Sequence, residues 1–264
     1  MSAADQKGGM RNYSAPLPEI FPPPESHRPT LVGERYMVVA GHPLVAQVAT
    51  SVLEKGGNAI DAGVAAGLAS NVLQADMCNL GGVAPILIKT TNSPEVWSIS
   101  GVGVWGQGVE VATYRERYGD DMPEGAPCSV VPAAVDSWIT ALKRFGTWSF
   151  SDVARDAIDY AEQGFILDHR TALAYALMGE GFKRWESTAK IYWPNGRAPI
   201  EGDRLCQRDL AKLLIRIASA EAGSNREQAL ENARAAFYSG PVAGAIVEWV
   251  QRHGGWMELS DLEN

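Results

Sequence analysis

Little in this sequence supports a disulfide scaffold, a metal centre, a membrane span or a nucleic-acid partner. Its 264 residues include three cysteines, Cys78, Cys128 and Cys206. They are widely spaced and odd in number, so neither a disulfide framework nor a zinc pattern follows. Reduced, buried thiols in the cytoplasm are the simpler expectation. The four histidines, His27, His42, His169 and His253, share no metal spacing, and no serine or cysteine elbow motif accompanies them. No run of roughly eighteen apolar residues occurs, as a membrane span would need. Lysine and arginine number 23 against 31 acids, a formal net charge of −8, with no basic stripe. Nucleic acid is therefore not an expected partner. The N-terminal stretch lacks the apolar core after basic residues that marks a secretory signal. Its proline, serine and glycine instead suggest an extended arm over residues 1–30, either wrapping a partner chain or solvated as a tail.

What remains is an ordinary globular composition, 46% hydrophobic and 20% charged, long enough to bury a sizeable core. The chain is organised around Val38 to Gly82. Met37 to Ala40 reads as a short buried strand ended by Gly41. Pro43 suits the first turn of a helix. Leu44, Val48 and Val52, with Val45, Ala49 and Leu53, make one apolar helix face. Gly56-Gly57 stops that helix, and Asn58 caps the next. Ala59 to Leu73 is almost uncharged, so this helix is buried. Asp61 within it is expected to bond a nearby backbone N–H rather than to titrate in catalysis, because a buried unpaired carboxylate is costly. His42 is read likewise as a structural hydrogen-bonding residue.

Further on, Ala84 to Lys89 and Glu95 to Ile99 read as two strands of a hairpin joined by turn residues. Helices are predicted over 112–118, 132–145, 150–163, 168–178 and 203–222. Two more follow, one capped by Asn225 and one begun by Pro241. Asp156 and Asp159 read as a solvated face. Residues 179–202 read as loop, with Trp185, Tyr192 and Trp193 as packing under it or as a substrate wall. Ser260 reads as the cap of a final helix, so Asn264 falls where a helix should begin and the polypeptide reads as part of something longer. Few strands and many helices point to an α+β layered arrangement.

Ordered motifs along the chain carry a resemblance. GHPLVAQVA, VLEKGGNAIDAGVAAGLA and NLGG are followed by VVPAAVDSWITALKRFGTWSF, AIDYAEQGF, GDRLCQRDLAKLL, AFYSGPVAGAIVEWVQRHGG and LSDLEN. Over roughly Arg28 to Asn264 these resemble the gamma-glutamyltranspeptidases, a family of N-terminal nucleophile hydrolases. The resemblance implies a four-layer α-β-β-α sandwich, of which residues 31–264 would supply a mostly helical large-subunit portion. A companion small subunit would complete it and would carry the nucleophile, an N-terminal threonine whose own amine is the base. No catalytic residue is then expected in this chain, nor any metal or cofactor. The partners implied are that subunit and a small-molecule amide, and a dimer of heterodimers is compatible with this arrangement.

The segment after the second hairpin strand departs from the family. Transpeptidases typically place an arginine there, in a D-x-R-E-x-A-P-like segment, to hold a substrate alpha-carboxylate. Here the segment is SISGVGVWG, and the arginine position falls on or near Val102. Gly101-x-Gly103 lacks the fuller nucleotide-loop pattern, so its glycines are expected to allow close backbone approach to a ligand or to another chain. Gly101, Val102, Gly103 and Trp105 are therefore the candidate substrate-binding residues, in a pocket smaller or more apolar than a gamma-glutamyl group needs. The alternatives are a true gamma-glutamyl enzyme with its clamp elsewhere, and a non-catalytic binding or scaffold relative.

Overall fold

The computed structural model describes residues 31–263 except 195 and 224. The chain divides into two units, Met1–Met37 and Val38–Asn264. In the first unit the described residues, 31–37, form neither helix nor strand, and Arg35 lies over the Tyr36 ring. The extended arm expected over residues 1–30 falls outside the described residues.

The second unit runs α1 (Pro43–Glu54), α2 (Ala59–Leu73), β1 (Ile86–Lys89), β2 (Val96–Ile99), α3 (Val111–Tyr118), α4 (Ala134–Phe145) and α5 (Phe150–Gln163). It continues with β3 (Phe165–Ile166), α6 (His169–Leu177), α7 (Gly179–Lys183), α8 (Glu186–Tyr192), β4 (Arg204–Leu205), α9 (Arg208–Ser219), α10 (Arg226–Tyr238), α11 (Gly240–Arg252) and α12 (Leu259–Glu263). No described helix is long and apolar enough to cross a membrane.

The first helices follow from their sequences. Val45, Val48, Ala49 and Val52 of α1 are buried against α2. Gly56 adopts φ +94°, the left-handed turn that ends α1. His42 Nδ1 accepts the Leu44 N–H at 3.1 Å and so caps α1. That leaves the ring proton on Nε2, which lies 3.0 Å from Asp168 Oδ2. Asp168 itself caps α6 by accepting the Thr171 N–H at 2.7 Å. His42 is thus a structural residue joining the starts of two helices. Burial raises the Asp168 pKa, but the Thr171 bonds and the nearby His42 and Arg170 outweigh it, so its carboxyl sits below the usual range.

Helix α2 is the centre of the unit, packing on α1, α4 and α5, while α5 also packs on α9. Its N-terminus is a capping box in which Asn58 Oδ1 accepts from Ile60 and Asp61, and Asp61 Oδ2 accepts the Asn58 N–H. Asp61 is fully buried. Its carboxylate also accepts the Thr147 N–H at 2.8 Å, the Thr147 hydroxyl at 2.6 Å and the Trp148 N–H at 3.1 Å. Asn58 Nδ2 donates to the Phe145 carbonyl at 2.7 Å. The turn from α4 to α5 is therefore held to the start of α2 by one buried carboxylate and its neighbour.

The hairpin β1–β2 pairs antiparallel, with Leu87 opposite Ser98 and Lys89 opposite Val96. Trp97 and Ile99 turn toward the helices, and Trp97 packs on Phe145 under Arg144. Leu87 and Val96, on the opposite face, are exposed.

Five expectations are corrected. Met37 to Ala40 is not a strand, and Val39 is 91% exposed. A strand needs a ladder partner, and none of the described residues pairs with this segment. Residues 179–202 contain two short helices, α7 and α8, too brief to show periodicity. The helix expected from Asp203 starts at Arg208, because Arg204–Leu205 pairs with Phe165–Ile166 instead. Ser260 lies inside α12 rather than capping it, and Asp261 accepts the Glu258 N–H. Tyr192 stacks on Phe182 beside Tyr175 and Trp193 is buried, which is the packing alternative. The three cysteines are free thiols, half-buried rather than buried.

Replacing Asp61 by Ala strands three backbone N–H groups in a dry site, so a loss of about 3 kcal/mol or more is expected. Thermal unfolding should register it as a fall in Tm of roughly 6 °C or more. Asp159→Asn, on the exposed face of α5, should stay within about 0.5 kcal/mol of the parent in the same measurement.

Candidate substrate-binding strap

Residues 100–107 leave β2 as a strap laid between two other backbone segments. On one side the Ala84 N–H donates to the Gly101 carbonyl at 2.8 Å. On the other the Val131 N–H donates to the Val104 carbonyl at 2.8 Å. The flanking segments are themselves tied, since Gly82 O accepts from the N–H groups of Ala133 and Ala134. Two of the strap's glycines have positive φ, +53° at Gly101 and +70° at Gly103. A Cβ on Gly101 would stand 2.2 Å from the Ala84 carbonyl oxygen, and one on Gly103 would stand 2.2 Å from that of Val131. These glycines therefore serve close backbone approach, and the segments they meet here belong to this same chain.

The strap separates the four candidate residues. Gly101, Val102 and Gly103 line a cavity of about 250 Å³ together with Asp136, Arg234 and Asp261. Val102 is 53% exposed. Trp105 lines a different hollow, of about 260 Å³, beside Val111 and Tyr114. Its ring lies 5.0 Å from Tyr114, which in turn packs on Trp256. Trp105 thus belongs to an aromatic cluster that seats the far end of the strap.

Three residues of the first cavity were not singled out from the sequence. Arg234 Nε donates to Asp136 Oδ1 at 2.5 Å, and the guanidinium covers the Tyr238 ring. Burial lowers the Arg234 pKa, but the bond and charge of Asp136, with Glu231, hold it above its ordinary value. Tyr238 donates to the Pro132 carbonyl at 2.8 Å and accepts the Asp136 N–H at 3.1 Å. Burial pushes its phenol up to about 12, so it stays protonated. Arg234 and Tyr238 stand four residues apart on α10, hence on one face, which was the one local signal for this group. The cavity has room for a small molecule and presents Arg234, Asp136 and Asp261 to it. Its lining residues include no histidine, cysteine or activated hydroxyl to attack an amide. Among the described residues no group of three or more His, Cys, Asp or Glu could hold a metal.

The gamma-glutamyltranspeptidase family model matches residues 45–264. The chain is 32% identical over 234 residues to the glutathione hydrolase-like YwrD proenzyme of Bacillus subtilis (strain 168), covering 89% of this chain and 42% of that protein. It is 31% identical over 235 residues to the oxamate amidohydrolase proenzyme of Klebsiella pneumoniae, covering 86% of this chain and 42% of that one. Among solved structures, the gamma-glutamyltranspeptidase of Helicobacter pylori superposes with a TM-score of 0.79 at 28% identity, over 89% of this chain and 65% of the other. The chain belongs to the gamma-glutamyltranspeptidase family. It spans less than half the length of these two curated relatives.

Gly101→Ala forces a side chain against backbone at a positive φ and should destabilise the protein by about 2 kcal/mol or more. Gly108→Ala is the control, since its Cβ would meet the Trp256 carbonyl at an ordinary 3.4 Å. Paired thermal melts should separate the two, with Gly108→Ala close to the parent.

Proposed function

We propose that the chain is the large-subunit part of an amidohydrolase of this family, acting on a small amide whose acyl group is not gamma-glutamyl. The nucleophile is the N-terminal threonine of a companion small subunit, freed by cleavage of a precursor. Its hydroxyl oxygen attacks the amide carbonyl and its own amine takes the proton. The amine portion leaves with that proton, and water or an acceptor amine then releases the acyl group. Two relatives are named as proenzymes, in keeping with such processing.

The observation that carries the substrate reading is Val102, on or near which the family resemblance places an arginine. A guanidinium there would hold a carboxylate through two parallel bonds; an isopropyl group offers none. Arg234 reaches the same cavity but is committed to Asp136. The Klebsiella relative, named for oxamate, is consistent with a family member that takes an acyl group other than gamma-glutamyl. The second reading is a true gamma-glutamyl enzyme, and the name of the Bacillus relative favours it. It requires Arg234 to exchange Asp136 for a substrate carboxylate.

The exposed face of the hairpin supports a companion layer. Leu87 and Val96 are 76% and 60% exposed, and Val83 and Val104, in the segments flanking the hairpin, are exposed as well. A second sheet stacked there would complete the four-layer α-β-β-α sandwich. The half-buried free thiols fit action in a reducing compartment such as the cytoplasm.

Assay of the full enzyme with a gamma-glutamyl anilide against simple acyl amides tests the substrate reading. Simple amides should be turned over faster, by about tenfold or more in kcat/KM, the discrimination expected when a carboxylate finds no partner. Val102→Arg should move that preference toward acidic donors. Strong gamma-glutamyl turnover by the parent, or an unchanged profile in the variant, would defeat it.

A further inference from the structure

We infer that Asp261 is a positioning residue for the substrate strap, acting as a latch between α12 and Gln107. Its Oδ1 accepts the Gln107 N–H at 2.9 Å, across 154 residues of sequence. Its Oδ2 accepts the Glu258 N–H at 2.8 Å, which fixes the carboxylate on the start of α12. Gly106 makes room for it, since a Cβ there would stand 2.6 Å from Oδ2 and 3.3 Å from Met257 Cα. Asp261 also lines the cavity that contains Gly101, Val102 and Gly103.

Besides the packing of Trp105 on Tyr114, the strap has two hydrogen-bonded tethers, at Gly101 and Val104, and both join backbone groups. Beyond Val104, the bond to Asp261 holds the strap by a side chain. Loss of the latch frees the end of the strap at Gly106 and Gln107. Val102 keeps its two backbone tethers, but the strap that carries it is then no longer held at its far end, and its depth in the cavity is less tightly set. A group held to within a fraction of an ångström binds its ligand without first paying for order; released, it binds more weakly while the distant chemistry is unchanged. Asp261 touches no reacting atom in this scheme. It acts through the strap, and its effect on turnover rests on the amidohydrolase reading above.

The test uses the protein in the assembly in which it purifies, and compares Asp261→Ala, Gly106→Ala and the double variant. Gly106→Ala drives the carboxylate off from the opposite side and keeps Asp261, so it carries the test where Asp261→Ala does not fold. Hydrogen exchange of residues 100–107 is read first. Both single variants should exchange there about tenfold faster or more, the loss of one charge-assisted bond. The double variant should be no faster than either single, because both remove the same contact. With a turned-over amide, KM should rise about tenfold while kcat stays within about threefold. Unchanged exchange at 100–107 in a folded variant overturns the latch, as does a fall in kcat with KM unmoved. Faster exchange in a protein that hydrolyses no amide would sink the amidohydrolase reading and leave the latch in place.

Discussion

One buried carboxylate holds this architecture together. Asp61 is fully buried and accepts four hydrogen bonds, from Asn58, from Trp148 and twice from Thr147. A charge in an apolar interior is tolerable only when donors surround it. These donors belong to the start of α2 and to the turn between α4 and α5. Meeting the charge therefore fixes the angle at which three helices meet. The Cβ missing from Gly146 makes the fit possible, since it would fall 2.7 Å from Asp61 Oδ1. Arg226 closes the same turn from the other side by donating to the carbonyls of Leu142 and Trp148. Helix α4 then presents Phe145 to Trp97 of the hairpin, and the hairpin leads into the strap. The chain of dependence runs from a charge satisfied in the core to the place of Val102 at the surface.

The strap illustrates a second constraint, that of backbone laid on backbone. Gly101 and Gly103 have no side chain to keep the neighbouring carbonyls away. Around Val102 the contacts are made by main-chain groups, so the local path there does not depend on the side chain at 102. Val102 is displayed on such a path. A pocket built this way changes its preference through one displayed residue without changing its frame. That is the physical basis for the proposal that Val102, rather than the fold, sets which acyl group is accepted.

Much of the helical frame was legible in the sequence for local reasons. The boundaries of α1, α2 and α5 coincide with Pro43, Asn58 and Gly164, each acting through its own backbone preference. The role of Asp61 was legible in kind, because the cost of a buried charge is general, but its partners Thr147 and Trp148 were not. They lie more than eighty residues away. The same limit hid Arg234, Asp136 and Asp261, which come from α10, α4 and α12 and share a cavity only in the folded chain. Met37 to Ala40 failed for a related reason, since composition marks a segment that can be a strand but not whether a partner lies beside it. Trp105 was placed near Val102 by sequence spacing, whereas the strap turns its ring into the Tyr114 cluster.

The central claim is that this chain is one part of a processed enzyme whose nucleophile lies on a companion. The most direct measurement is the intact mass and N-terminal sequence of every polypeptide that co-purifies with it. A companion beginning with threonine, in equal amount, is the expected result. This chain folded and alone, with no such companion, would contradict it and leave a binding or scaffold role.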